Sequence, residues 1–292
     1  MIVIKIFADF KWDKPLDDTI IKLCDLENDP DFNVKYKFTK GGYYTHAFIF
    51  NKTYANIKIN KENIIGISFE PLVFLNLKDK DFNFIRKKVQ KYYIGWYKNY
   101  MPPNIIEGFR FIDYWKEPWK NPSEIKPKTK FMSIIFSKKR ITDGHNYRHK
   151  LVDEILKTDL PIDIYGGACD MNKYKNMNDS RIKGSFNRHS YIAYEDYKFH
   201  ICIENVSIPH YLSEKIINPL LVKTIPIYWG CKNIDIYFPN TYHLLTGNIK
   251  DDISLFYDIF NNIDKYEKIS QNIDVLNVKE KVSIKNVIKE FY

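Results

Sequence analysis

Three short polar clusters stand where apolar runs end, and their residue types suit transfer chemistry. Glu204 and Asn205 close the run 199–203, and Ser213, Glu214 and Lys215 open a stretch in which Ile216, Ile217, Leu220 and Leu221 recur at helical spacing. Trp229 and Gly230 close a further run at 225–228. The free N–H groups and macrodipole of a helix start attract an anion, to which Lys215 adds a full charge. Glu214 beside it suits hydrogen bonds from hydroxyls. A phosphate that carries hydroxyls, as in a sugar nucleotide, meets both demands; a capped helix with Glu and Lys in solvent is the plain alternative. Glu70 ends the run 64–69 just before Pro71, a carboxylate at the mouth of a crevice or simply exposed at a strand end. Arg148 precedes the apolar-periodic Leu151, Ile155 and Leu156, with Arg140 not far upstream; a plain surface Arg is the alternative for either.

These residues need strands that end where they begin. Residues 197–230 read as strand, polar loop, helix and strand, a βαβ unit with both loops at strand carboxyl ends, where open α/β sheets bind ligands. Pro219 removes a donor inside the helix and should bend or tighten it. Strands are expected at 2–7, 32–38, 47–50, 64–69, 130–137 and 162–165, with helices at 20–26 and within 82–93, where a helix runs into a strand. The alternation argues for parallel, Rossmann-like sheets. Residues 118–130 hold three prolines, several lysines and little apolar content, as a linker does. Residues 170–190, polar and basic, read as a mobile loop near the ligand. The expected domains are 1–127, 128–270 and a closing C-terminal helix at 271–292.

The order Ile203-Glu204-Asn205, then Tyr211 to Lys215, then residues 225–230 resembles the donor-site signature of family 10 glycosyltransferases, the α1,3/α1,4-fucosyltransferases. Residues 162–166, 237–242 and the opening 8–12 are also similar to segments of that family. The resemblance implies a GT-B fold, two Rossmann-like domains facing across a cleft, and an inverting transfer of fucose from GDP-fucose to a glycan hydroxyl, α1,3 to a GlcNAc- or Glc-type sugar. It implies Glu70 as general base, from a segment one residue shorter than the family's, with a carboxyl pKa raised by partial burial. Arg148 and Lys215 would face the diphosphate, Glu214 the donor hydroxyls, and Asn205 and Tyr211 the nucleotide or sugar. Trp96 and Tyr97 stand where many relatives have an acidic, Arg-containing segment before a Pro, and with Trp115 and Trp119 they could stack on an acceptor sugar or pack a core. The same fold with another nucleotide sugar, and a nucleotide- or glycan-binding protein without turnover, are the other readings.

Composition narrows these options. With 45% hydrophobic and 16% aromatic residues in 292, the chain is globular rather than disordered. The net charge of +9 comes from 45 basic and 36 acidic residues spread along its length, which argues against nucleic acid as the main partner and suits a nucleotide diphosphate, an acidic glycan or a membrane surface. Cys24, Cys169, Cys202 and Cys231 lack zinc-site spacing and read as free thiols in a reducing compartment. Asp251-Asp252 is a pair of neighbouring carboxylates in a later turn, and no metal is required; Mn²⁺ or Mg²⁺ would be a dispensable accessory. Residues 1–7, interrupted by Lys5, are too short and charged for a signal peptide or a span, so a soluble, cytoplasmic protein is expected.

Overall fold

The computed structural model describes residues 1–8, 30–53, 55–68, 70–95, 103–108, 124–186 and 190–292. They form two compact units: Met1–Lys116 with Pro209–Tyr211 and Glu280–Tyr292, and Glu117–Ile208 with Leu212–Lys279. The division falls after Lys116, short of the expected boundary at 127. No helix among the described residues is long and apolar enough to cross a membrane.

The first unit is built on β1 (Ile2–Ala8), β2 (Tyr36–Phe38), β3 (His46–Phe50), β4 (Ile64–Ile67), β5 (Lys91–Ile94) and β6 (Ile105–Glu107). They pair in the order β2-β1-β3-β4-β5-β6, every pair parallel. All four β4 residues are buried, the apolar run of a strand covered on both faces. Gly66 is required there, because a Cβ would stand 2.4 Å from the Tyr92 ring; Tyr92 in turn donates its hydroxyl to Asn51 O. The expected strand at 32–38 is a helix, α1 (Pro30–Lys35), running into β2. Pro30 takes the first helical position, where its missing N–H costs nothing, and Phe32 and Tyr36 stack at 4.7 Å. Helices α2 (Leu72–Leu75) and α3 (Asp79–Lys88) follow β4. The expected helix at 20–26 lies outside the described residues.

The second unit repeats the plan with β7 (Lys130–Ile135), β8 (Ile162–Tyr165), β9 (Ile182–Gly184), β10 (Tyr197–Ile203), β11 (Ile225–Trp229) and β12 (His243–Leu244), and helices α4 (Asp143–Ile155), α5 (Asn172–Lys175) and α6 (Glu214–Leu221). Strand order is β12-β11-β10-β7-β8-β9, again all parallel. This is the 3-2-1-4-5-6 order of a doubly wound sheet, whose direction reverses between β7 and β10. Residues 170–186 are therefore not a free loop. They supply α5 and the edge strand β9, and Arg181 just before β9 donates to Ile155 O, Thr158 O and Leu160 O at 2.9–3.1 Å.

Helices α7 (Ile249–Asn261), α8 (Ile263–Glu267), α9 (Val275–Lys281) and α10 (Ile284–Phe291) end the chain. Two helices thus stand at 271–292 where one was expected. Residues of the last return to the first unit: Tyr292 donates to Ala47 O at 3.1 Å and packs on His46, and Phe291 meets Tyr93. Cys169, Cys202 and Cys231 are buried free thiols, and Cys24 lies outside the described residues.

Candidate active site

The two strands at the reversal of the second sheet lead into the helices that carry the polar residues. β7 runs through residues 136–142 into α4, and β10 runs through 204–213 into α6. Apolar residues fix both helices on the sheet: Leu151, Val152 and Ile155 of α4 and Ile216, Ile217 and Leu220 of α6 are 0% exposed. Pro219 lies inside α6, and its carbonyl accepts the N–H groups of Val222 and Thr224 as the helix closes two residues later. Lys223 then takes φ 56°, the left-handed turn that ends many helices.

Ser213 caps α6, as its place in the sequence predicts, its hydroxyl accepting the Lys215 N–H at 3.4 Å. It also ties the helix start to Glu204, which the sequence reading left without a role. The Glu204 carboxylate is 0% exposed; it accepts the Ser213 N–H at 2.8 Å and its O–H at 2.6 Å, and lies 3.8 Å from Lys215 Nζ. Two glycines make room for Glu204, one at its side chain and one at its main-chain carbonyl. A Cβ on Gly230 would come within 2.4 Å of Glu204 Cγ, and one on Gly144 within 1.8 Å of Glu204 O. Helical spacing cannot reveal such a close approach, and a glycine in the first turn of α4 is the signal that could have pointed to it.

Lys215 Nζ sits between Glu214 Oε1 at 2.9 Å, Ser213 Oγ at 3.1 Å and Glu204 Oε2 at 3.8 Å. Burial opposes its charge, but the two carboxylates outweigh burial and hold Lys215 above the usual lysine range. Burial likewise acts to raise Glu214, and Lys215 overrides it, leaving Glu214 below the usual carboxylate range. For Glu204 burial wins over Lys215 and the Ser213 hydrogen bonds, and its carboxyl is pushed up.

Arg148 lies in the middle of α4 rather than at its start, and is 5% exposed. Its fork donates to Ile203 O and, at 2.9 Å, to Asn205 Oδ1, while Gly144 N donates to Asn205 O at 3.1 Å. Arg148 and Asn205 thus hold each other and the end of β10. His145 is buried beside them, its Nδ1 2.6 Å from Thr142 Oγ1. Burial, then the charges of Arg148, Lys139 and Lys215, lower its pKa to about 4, so it is neutral at pH 7.

The other expected residues belong to other elements or lie outside the described residues. Glu70 is in the first unit, three residues past β4, and is exposed. Tyr211 is buried in the Pro209–Tyr211 segment that groups with the first unit. Trp96, Tyr97, Trp115 and Trp119 lie outside the described residues. Arg140 is exposed on the loop before α4. Asp252 is a buried structural acceptor, taking the Tyr147 hydroxyl and the N–H and hydroxyl of Thr246. Among the described residues no group of three or more His, Cys, Asp or Glu side chains is placed to hold a metal.

A family model, glycosyltransferase family 10 (fucosyltransferase) C-terminal, matches residues 125–255, which contain every member of this cluster. Those residues are similar to a family 10 glycosyltransferase domain. A protein of Acanthamoeba polyphaga mimivirus named as a fucosyltransferase is 30% identical over 175 residues, 52% of this chain and 28% of the relative. Alpha-(1,3)-fucosyltransferase B of Drosophila melanogaster is 28% identical over 150 residues, 50% of this chain and 33% of the relative. The match thus spans about a third or less of these relatives' length. A crystal structure of α1,3-fucosyltransferase with GDP-fucose aligns with a TM-score of 0.53 at 14% identity, over 98% of this chain and 90% of that one. The fold, two parallel-sheet α/β units, is therefore that of GT-B glycosyltransferases.

Proposed function

We propose that this protein transfers fucose from GDP-fucose to a hydroxyl of a glycan acceptor, α1,3 to a GlcNAc- or Glc-type sugar, with inversion at the anomeric carbon. The observation that carries the reading is the convergence of Lys215, Glu214, Asn205 and Arg148 at the reversal of a doubly wound sheet, inside the residues that match the family 10 model. Lys215 and the start of α6 take the diphosphate. Arg148 adds positive charge from beneath and fixes Asn205, and Glu214 accepts hydrogen bonds from the sugar hydroxyls. Tyr211 contacts the nucleotide or sugar, and Trp96 and Tyr97 serve the acceptor. Glu70 is the general base.

The step balances without further reactants. The acceptor O–H proton goes to Glu70, its oxygen forms a bond to the anomeric carbon, and the bond from that carbon to the phosphate oxygen breaks. The electron pair leaves with GDP, where Lys215 and the helix start stabilise it. Attack opposite the leaving group inverts the centre, by the logic that separates inverting from retaining glycosidases.

Ligand-dependent thermal stability tests the donor site without a known acceptor, since a ligand that binds only the folded state raises the melting midpoint. GDP and GDP-fucose should raise it, and Lys215→Ala should abolish the shift. In turnover the same substitution should cost about 10²- to 10³-fold in kcat, the size of losing one preorganised electrostatic group. A shift with UDP-galactose alone would replace fucose with another donor, and no shift with any nucleotide sugar would overturn the reading.

A further inference from the structure

We propose that Glu204 is the fixed anchor of Lys215, leaving Glu214 free to exchange Lys215 for the hydroxyls of the donor sugar. This deepens the donor-site reading above and rests on it. The family 10 reading gives Glu214 and Lys215 separate tasks, one on sugar and one on phosphate, yet the structure ion-pairs them at 2.9 Å. A bound donor would have to part them. Lys215 would then sit in a largely enclosed position without a counter-charge, unless a second carboxylate stayed behind.

Glu204 meets that need and Glu214 does not. Its carboxylate is 0% exposed and locked by two hydrogen bonds from Ser213, with its side chain seated against the open face of Gly230 and its carbonyl against that of Gly144. Glu214 is 36% exposed on the first turn of α6 and able to turn outward. The Ser213 hydroxyl links the two halves of the anchor, donating to Glu204 and accepting from Lys215 Nζ. Among the described residues, Arg148 and His145 of α4 and the buried Cys202 thiol also act on or feel Lys215, and none can replace a carboxylate: Arg148 is a cation, His145 is neutral, and burial pushes the Cys202 thiol well up. Glu204 is thus a positioning residue, acting on the donor through Lys215.

The readout is the ratio of dissociation constants for GDP and GDP-fucose, because the direct effect of a buried charge on the diphosphate is common to both ligands. Glu204→Gln keeps the shape and an acceptor for the Ser213 N–H but removes the charge. Lys215 is then left to Glu214, and sugar hydroxyls must compete with it. The ratio should shift at least threefold toward GDP, while Glu204→Asp, which keeps the charge, should shift it less. An unchanged ratio in folded Glu204→Gln overturns the inference.

A crystal structure of the wild-type protein with GDP-fucose answers the same question without a variant. Lys215 Nζ within about 4 Å of Glu204, with Glu214 turned to the sugar, supports the anchor. Lys215 departing from Glu204, or Glu214 still paired to it, overturns it. Absence of any GDP binding by the wild type would instead remove the donor-site reading beneath it.

Discussion

The two sheets of this protein are each six parallel strands among the described residues, but they treat polar residues in opposite ways. At the reversal of the second sheet the polar groups are built in. Glu204, Ser213 and Arg148 are 0–5% exposed; Ser213 donates to Glu204, Arg148 donates to Ile203 O and Asn205, and two glycines leave room for Glu204. At the reversal of the first, between β1 and β3, Phe50 leads to Asn51, whose carbonyl is occupied by Tyr92, and the candidate base Glu70 stands exposed past β4. Holding a diphosphate takes several charges fixed against burial; taking one proton takes a single carboxylate within reach. On the proposed function, one unit would therefore carry its candidate residues in its interior and the other at its surface.

Glu70→Gln tests the surface half most severely. Turnover should fall by about 10²- to 10⁴-fold, with GDP-induced stabilisation intact and folding stability changed by less than about 1 kcal/mol. A large drop in stability would make Glu70 a structural group and break the contrast. For the interior half, Gly144→Ala drives a Cβ against the Glu204 carbonyl and should cost about 3 kcal/mol in urea unfolding. Its counterpart in the first unit, Gly42→Ala, meets nothing within 4 Å and should stay within about 0.5 kcal/mol. Equal losses at the two glycines would erase the distinction.

A pH series sharpens it further. His145 has its folded pKa depressed to about 4 from 6.5, so between these values the unfolded chain binds the proton and the folded one does not. Stability should fall as pH drops through that window, by up to about 1.4 kcal/mol per pH unit for this one group. His145→Gln should flatten the slope, and an unchanged slope would remove His145 from the buried network. His200, lowered to about 3 by burial, adds to the same acid loss and remains in that variant.

How much of this was legible followed from the same contrast. The β10–α6–β11 unit showed itself because apolar period and polar breaks agree: residues 199–203 and 225–228 are strand-like, Ser213 caps, and Ile216, Ile217 and Leu220 recur as a helix face. Residues 32–38 misled because Phe32, Tyr36 and Phe38 fit alternation as well as the i, i+4 spacing that Phe32 and Tyr36 adopt, and Pro30 was the overlooked helix start. Arg148 was expected to present its fork to phosphate; its burial under Ile203 and Asn205 depends on residues more than 50 positions away. Glu204 was visible as a letter but not as a buried charge, since its partners are set by the loop at 205–213 and by two glycines distant in sequence. Short-range pattern reports which face an element buries, and long-range closure decides which polar groups are buried with it.

The return of residues 280–292 to the first unit also orders events during synthesis. Residues 1–116 leave the ribosome first, yet they lack α10, whose Ile288 is fully buried, and the Tyr292 hydroxyl that meets Ala47 and Asn63. The nascent chain can finish its second unit while the earlier-made sheet still waits for its last helix. Loss of the C-terminal dozen residues would therefore injure the N-terminal sheet and spare the domain beside which those residues are encoded.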